Sequence, residues 1–265
     1  MKVLIIPDVH CRKFWRQAIA DNVGNVNKVI FLGDYLDPYP DEIDSNPQLM
    51  EVKSFKDSFN ALNMLNDIIS LKKNEPDKYV LLTGNHTDSY IWSKFSAATR
   101  TDYDNWEKYH KFFSENLEYF NLVWIEDDVI FSHAGISEDW ADEFLYHYMD
   151  YDTEVMLEKN SPIFETVRVL KDTQLKDFNI HYIKAISNIS YYRRGDSPYG
   201  SCEWADIREY YNNKMSGFSP VAYENCFQVF GHTQLKKPLI EETWACLDCR
   251  KGFIIDTLTH EINES

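Results

Sequence analysis

The sequence predicts an α/β fold organised around a parallel β-sheet, on three observations. Residues 3–6 (Val-Leu-Ile-Ile), 28–32 (Lys-Val-Ile-Phe-Leu) and 78–83 (Lys-Tyr-Val-Leu-Leu-Thr) are short aliphatic and β-branched runs without polar alternation, as strands buried on both faces require. Segments with apolar residues at helical spacing separate them. Each run then gives way at once to Asp, Asn or His, so polar side chains collect at the carboxyl edge of one sheet, where open α/β folds bind ligands.

Taken in order, the first run ends at Pro7 and is followed by Asp8 and His10, two residues apart and able to point to one side of an extended segment. Both residue types ligate divalent metals. Standing alone, the pair would read as a turn Asp beside a partly buried His; its recurrence elsewhere changes that reading. Residues 12–23 place Phe14, Trp15, Ala18, Ile19 and Val23 at helical spacing and stop at Gly24. The second run leads into Gly33-Asp34 and Asp37, which completes a βαβ unit. Residues 38–47 hold three prolines and three acids and read as a surface loop. A long helix is expected over 49–71, through Phe55, Phe59, Leu62, Leu65, Ile68 and Ile69. The third run precedes Gly84-Asn85-His86.

Residues 89–120 are aromatic and helical in pattern, with Trp106, Tyr109, Phe112, Phe113 and Leu117 read as core. Residues 121–126 and 128–132 read as neighbouring strands turned at Asp127-Asp128, the second ending in His133-Ala134-Gly135. From about 136 to 214 no clear strand is visible, and Arg193 to Pro198 marks a loop. This stretch reads as a mainly helical and irregular variable segment of the same domain, since no linker separates it; residues 1–265 are expected to form a single domain. Residues 226–230 form a further strand running into Gly231-His232-Thr233. Residues 243–248 and 252–256 read as a closing antiparallel pair.

Composition narrows the function classes. In 265 residues, 44% hydrophobic and 15% aromatic content is ample for a core. No run approaches the roughly 18 apolar residues of a membrane helix, and a strand-like segment starts at residue 3 where a leader would stand, so a cytoplasmic protein is expected. The formal net charge of −16 opposes non-specific nucleic-acid binding, which depends on neutralising phosphates with Lys and Arg. A phosphorylated substrate stays compatible, because bound cations reverse the local sign. The five scattered cysteines do not suggest a disulfide framework, and Cys246-x-x-Cys249 reads as small core residues in preference to a zinc site.

Collected at strand ends are Asp8, His10, Asp34, Asp37, Asn85, His86, His133 and His232, which include four of the eight histidines. Buried without partners, each would cost several kcal/mol; a shared pair of metal ions satisfies them together. Asp-x-His, Gly-Asp-x-x-Asp, Gly-Asn-His, a strand ending in His-x-Gly and Gly-His-Thr resemble, in that order, the metallophosphoesterases of the calcineurin-like superfamily, and within it the bacterial and bacteriophage serine/threonine protein phosphatases. Trp204-Ala-Asp206, Lys237-Pro-Leu239 and Leu247-Asp248 are similar to the C-terminal order of those enzymes.

The resemblance implies a four-layer α/β/β/α sandwich of two mixed sheets flanked by helices, with the active site at strand ends. It implies that Asp8 and His10 bind one metal, that Asp34 bridges both, and that Asn85, His133 and His232 bind the second. His86 is implied as general acid with Asp37 orienting it, and a hydroxide between the metals as the nucleophile. Two divalent ions are expected, manganese first, with iron or zinc compatible. Three positions depart from the family pattern: Cys11 stands for the usual glycine after Asp-x-His, Pro38 for the phosphate-binding arginine, and Thr87, with Asp88 next, for the acid after Gly-Asn-His. The arginine fork suits phosphate, so Arg193, Arg194 and Arg208 are the expected substrate-binding residues, with Arg100 and Arg12 as further candidates.

The expected function is a metal-dependent phosphomonoesterase acting on phosphoserine or phosphothreonine proteins or on small phosphate esters, without membrane association. Two alternatives use the same residues: a phosphodiesterase or dinucleoside-polyphosphate hydrolase acting on nucleotides, and a non-catalytic metal-binding interaction module.

Overall fold

The first aliphatic run becomes β1 (Lys2–Ile6), in which Val3, Leu4, Ile5 and Ile6 are fully buried. The computed structural model describes residues 1–92, 98–148, 162–211 and 226–265. Residues 1–120 with 249–265 form one unit and residues 121–248 a second.

In the first unit β1 runs parallel to β2 (Lys28–Phe31), and β2 parallel to β3 (Tyr79–Leu82), with Val3 opposite Lys28 and Val29 opposite Tyr79. The crossovers are α1 (Phe14–Asn22) and α3 (Ser58–Asn74), preceded in its own connection by the short α2 (Pro40–Ser45). Beyond β3 lies β4 (Phe120–Asn121). On the other side, β10 (Phe253–Asp256) pairs antiparallel with both β1 and β11 (Ile262–Glu264). The six-stranded order is β11-β10-β1-β2-β3-β4. After β3 come α4 (Asn85–Ile91) and α5 (Trp106–Asn116), which packs Tyr109, Phe112 and Phe113 inward.

In the second unit β5 (Val123–Glu126) and β6 (Val129–Ser132) form an antiparallel hairpin, turned through Asp127 at φ 52°. Its sheet continues with β7 (Phe227–Phe230) parallel to β6 and β9 (Trp244–Cys246) parallel to β7, and ends in β8 (Leu239–Ile240), antiparallel to β9. Helices α6 (Glu138–Tyr148), α7 (Pro162–Asp172), α8 (Ile180–Ile186) and α9 (Ile207–Tyr211) accompany it. Trp140 of α6 is buried and donates its indole N–H to Ala185 O on α8 at 3.1 Å. Ile207 and Tyr210 of α9 pack on Phe230, Trp244 and Cys246 of the sheet. The fold is thus α/β, with two mixed sheets flanked by helices. No helix among the described residues is long and apolar enough to cross a membrane.

Four sequence expectations need correction or division. The proline- and acid-rich stretch 38–47 is not all loop. Pro40 sits at the start of α2, Asp41 and Glu42 occupy its first turn, and Ile43 is buried; a proline with preset φ and acids at the positive helix end favour the turn. The helix expected over 49–71 starts only at Ser58. Asp57 caps it, accepting from Asn60 N–H, and Phe59 is 74% exposed, so it is not part of the buried face. The stretch 89–120 holds two helices, with 93–97 outside the described residues. Finally, residues 243–248 and 252–256 do not pair: β9 and β10 belong to different sheets. Both are interior strands, β9 between β7 and β8 and β10 between β1 and β11, a choice that adjacency in sequence cannot predict. Of the segment 136–214, positions 149–161 and 212–214 lie outside the described residues.

Asp57 also accepts from Lys53 N–H at 2.9 Å, so its carboxylate ties the preceding turn to the helix start. Asp57→Ala is expected to cost about 1 kcal/mol of stability, read as a lowered midpoint in urea unfolding, and Asp57→Asn to recover most of it. An unchanged midpoint in the alanine variant would show that the cap is dispensable.

Candidate active site

Three parallel strands of the first unit deliver the polar residues. At the end of β1, Asp8 and His10 are 1% and 3% exposed. At the end of β2, Asp34 and Asp37 are equally buried, and at the end of β3, Asn85 and His86 open α4. The turns that place them are tight. His10, Cys11, Asp34 and Asp37 have φ between 43° and 58°, a left-handed conformation that costs non-glycine residues of order 1 kcal/mol or more each. Backbone bonds hold it: His10 N–H donates to Asp34 O at 2.7 Å and Cys11 N–H to Tyr35 O at 2.9 Å. Gly33 is required for a different reason. At φ 113° any Cβ would stand 2.2 Å from Thr83 O, so only glycine lets the β2 and β3 ends approach.

The donor set suits a cation. His10 Nδ1 lies 2.7 Å from Leu36 O, so Nδ1 carries the proton and Nε2 keeps its lone pair. Burial pushes the His10 pKa well below its usual value, which leaves the ring neutral. Its Nε2 faces Asp34 Oδ2 at 3.6 Å. Two acceptors therefore confront each other across a gap too long for a hydrogen bond, an arrangement that an ion between them would satisfy. His10, Asp34 and His86 each offer a ligand atom within 4.8 Å of the others'.

His86 is held at three points. Its backbone N–H donates to Asp34 Oδ1 at 2.9 Å, its Nδ1 lies 2.7 Å from Asp37 Oδ2, and its ring meets that of His10 edge-on at 5.0 Å. Asp37 is fixed in turn by the Tyr90 hydroxyl, which donates to Oδ1 and accepts from Asp102 N–H at 2.7 Å. Burial raises the Asp37 carboxyl above its usual range, although the His86 and Tyr90 hydrogen bonds oppose the rise. Burial and the nearby Asp37 push the Tyr90 phenol far upward, so it stays a donor. Sequence reasoning did not find Tyr90; the available signal was its place four residues after His86, on the same face of α4.

The arginines divide. Arg12 is buried and committed to Glu42 through Nε at 2.6 Å and Nη2 at 3.2 Å, while Nη1 donates to Asp8 O at 3.1 Å. It braces the strand end instead of facing outward. Arg100 stacks on Tyr39, 3.8 Å from the ring centroid, with Nη2 3.5 Å from His86 Nε2.

In the second unit, β6 and β7 end in His133 and His232. Their facing nitrogens, His133 Nε2 and His232 Nδ1, are 3.1 Å apart, and Gly231 N–H donates to His133 O at 2.8 Å. His232 sits at φ 62°. Arg193 donates from Nη2 to Thr233 Oγ1 at 2.7 Å and to His232 O at 3.4 Å. Its Nε is 2.7 Å from Asp206 Oδ2, an ion pair without hydrogen-bond alignment. Arg208 grips the same carboxylate, Nε to Oδ1 at 2.7 Å, and donates to Tyr192 O at 2.6 Å. Burial would raise Asp206, yet the two guanidinium groups hold its carboxyl below the usual range. Arg194 is exposed in a left-handed turn at φ 67°. Of the three arginines expected at the substrate, Arg193 is thus the one beside a candidate ligand, and Arg208 is bound to protein groups.

Residues 1–233 match the calcineurin-like phosphoesterase family. The chain therefore belongs to that family of metal-dependent phosphoester hydrolases. Among solved structures, it is similar to a cold-active protein tyrosine phosphatase, 15% identical over 99% of this chain and 78% of that one, with a TM-score of 0.53. It is also similar to a protein serine/threonine phosphatase from Saccharomyces cerevisiae with similarity to human phosphatase PP5, 13% identical over 96% of this chain and 71% of that one, with a TM-score of 0.50. At such identities the likeness is one of fold. No curated protein matches the chain.

Removing the Tyr90 hydroxyl leaves Asp37 with one donor fewer and Asp102 N–H without its acceptor. Tyr90→Phe is expected to cost about 1–3 kcal/mol of stability and to lower turnover on phosphate esters by about tenfold. The loss should be smaller when His86 is already replaced, which a double-mutant cycle measures. Additive effects would show that Tyr90 does not act through Asp37.

Proposed function

We propose that this protein is a metal-dependent phosphomonoesterase acting on phosphoserine and phosphothreonine in proteins. The observation that carries the reading is the clasp of His86 Nδ1 by Asp37 at 2.7 Å. With Nδ1 so engaged, the exchangeable proton of the ring belongs at Nε2. Asp37 sets the ring's direction and tautomer, and Tyr90 sets Asp37. His86 is then the general acid that protonates the departing alkoxide, a step that matters most for the poor leaving groups of serine and threonine. Protein substrates draw support from the names of the two similar structures, both protein phosphatases.

The reading assigns Asp8, His10 and Asp34 to one divalent ion and Asn85, His133 and His232, with Asp34 shared, to another, manganese being the expected metal. When bound, the ions supply an activated water and neutralise phosphate charge. Neutral imidazoles and the Asn85 amide add ligation without adding negative charge to an acidic chain. Arg193, anchored on Thr233 and on the carbonyl of His232, is assigned to the phosphate. The whole chain is taken as one catalytic domain.

The direct test is phosphate release from a panel of phosphopeptides, nucleotides and cyclic nucleotides with added manganese. Release from phosphopeptides alone supports the reading, and preferential cleavage of cyclic or dinucleotide substrates replaces it with the diesterase alternative. Metal analysis should find two ions per chain, with His232→Ala retaining one and Asp34→Asn inactive but folded by circular dichroism. Full turnover after exhaustive chelation would refute metal dependence. His86→Asn should lose on the order of a hundredfold or more on an alkyl phosphate and much less on p-nitrophenyl phosphate, whose leaving group needs little protonation; equal losses would remove His86 from the general-acid role.

A further inference from the structure

We propose that Arg100, which lies beyond α4 in the chain, binds the phosphoryl oxygens of the substrate, the service that Pro38 cannot give. The inference rests on the phosphoesterase reading above. Three independent observations converge on it.

The first is charge pairing. In a chain of net charge −16, Arg12, Arg16, Arg168, Arg193, Arg208 and Arg250 all have carboxylate partners. Among the described residues Arg100 has none. Its contacts are neutral: Asp37 O from Nε at 3.4 Å, Thr99 Oγ1 from Nη1 at 3.3 Å, and His86 Nε2. With no carboxylate partner among the described residues, this half-buried guanidinium is open to an anion from outside. Arg194, the other arginine without a carboxylate among the described residues, is exposed on a turn.

The second is position. Nη2 stands 3.5 Å from His86 Nε2, the atom from which the leaving group would take its proton. An ester whose bridging oxygen meets Nε2 brings its non-bridging oxygens within reach of the neighbouring fork, the two-pronged geometry for which arginine surpasses lysine.

The third is preorganisation. The guanidinium carbon lies over the Tyr39 ring, 3.8 Å from its centroid, and Arg100 itself adopts φ 63°. A cation–π platform and a strained backbone hold the fork in one orientation before any ligand arrives. Tyr39 immediately follows Pro38, so the element that lost an arginine supplies the seat for another.

The experiment compares wild type with Arg100→Met, Arg100→Lys and Arg100→Ala. For p-nitrophenyl phosphate, kcat/KM should fall about ten- to a hundredfold in Arg100→Met, the loss of one charge-assisted contact, and the inhibition constant of inorganic phosphate should rise by a similar factor. Lysine should recover only a minor part. Metal content should stay at the wild-type value, and added guanidinium ion should restore part of the activity of Arg100→Ala but none in His86→Asn. A phosphate inhibition constant unchanged in Arg100→Met overturns the proposal, as does loss of metal together with activity. If Arg100→Met does not fold, Tyr39→Leu carries the test: weaker phosphate binding supports the proposal, and unchanged binding refutes it. Should wild type hydrolyse no ester, the functional reading fails. Calorimetric binding of inorganic phosphate to wild type and to Arg100→Met still decides the role of Arg100 separately.

Discussion

Asp34 is the residue on which the first unit's site depends. Its carbonyl accepts the His10 N–H, its Oδ1 accepts the His86 N–H, and its Oδ2 faces His10 Nε2. One residue thereby ties together the ends of three parallel strands, each of which ends in buried apolar residues. The left-handed backbone at His10, Asp34 and Asp37 would be unfavourable anywhere it was not overdetermined. Here the main-chain bonds between strand ends, together with the glycine that admits Thr83 O, make it the available solution. Local strain and functional geometry therefore coincide because the same bonds impose both.

From this anchor the chemistry spreads outward through a chain of hydrogen bonds between buried residues. Asp34 holds the backbone of His86, Asp37 holds its ring, Tyr90 holds Asp37, and the Asp102 amide holds Tyr90. Each member has few degrees of freedom left once the next is in place, which is how a site on turns acquires the precision of one on strands. In the second unit Asp206 plays a comparable part, drawing two arginines onto one carboxylate and leaving Arg193 braced against Thr233 and the carbonyl of His232.

The sequence was most readable where burial on both faces allowed no alternative. The three aliphatic runs, the glycines after them and the order of Asp8, His10, Asp34, Asn85, His86, His133 and His232 were all visible, because a buried parallel strand has one composition and its carboxyl end has one position for polar groups. Elements stabilised by local features that compete with pattern were read less well. Pro40 and two acids made a helix where proline count suggested loop, and the helix capped by Asp57 starts nine residues later than apolar spacing suggested.

What the sequence determined by itself was the inventory and its order: which residue types stand at which strand ends. Only tertiary structure decided pairings distant in the chain. It sent β9 and β10 to different sheets, where each is flanked by strands on both sides. It brought Tyr90 to Asp37 and Arg100 to Tyr39 and His86, 53, 61 and 14 positions apart along the chain. It also consumed Arg12 and Arg208 in internal ion pairs. Hydrophobic periodicity reports which face of an element is buried, but which cation meets which anion is settled by distances that exist only once the chain has folded.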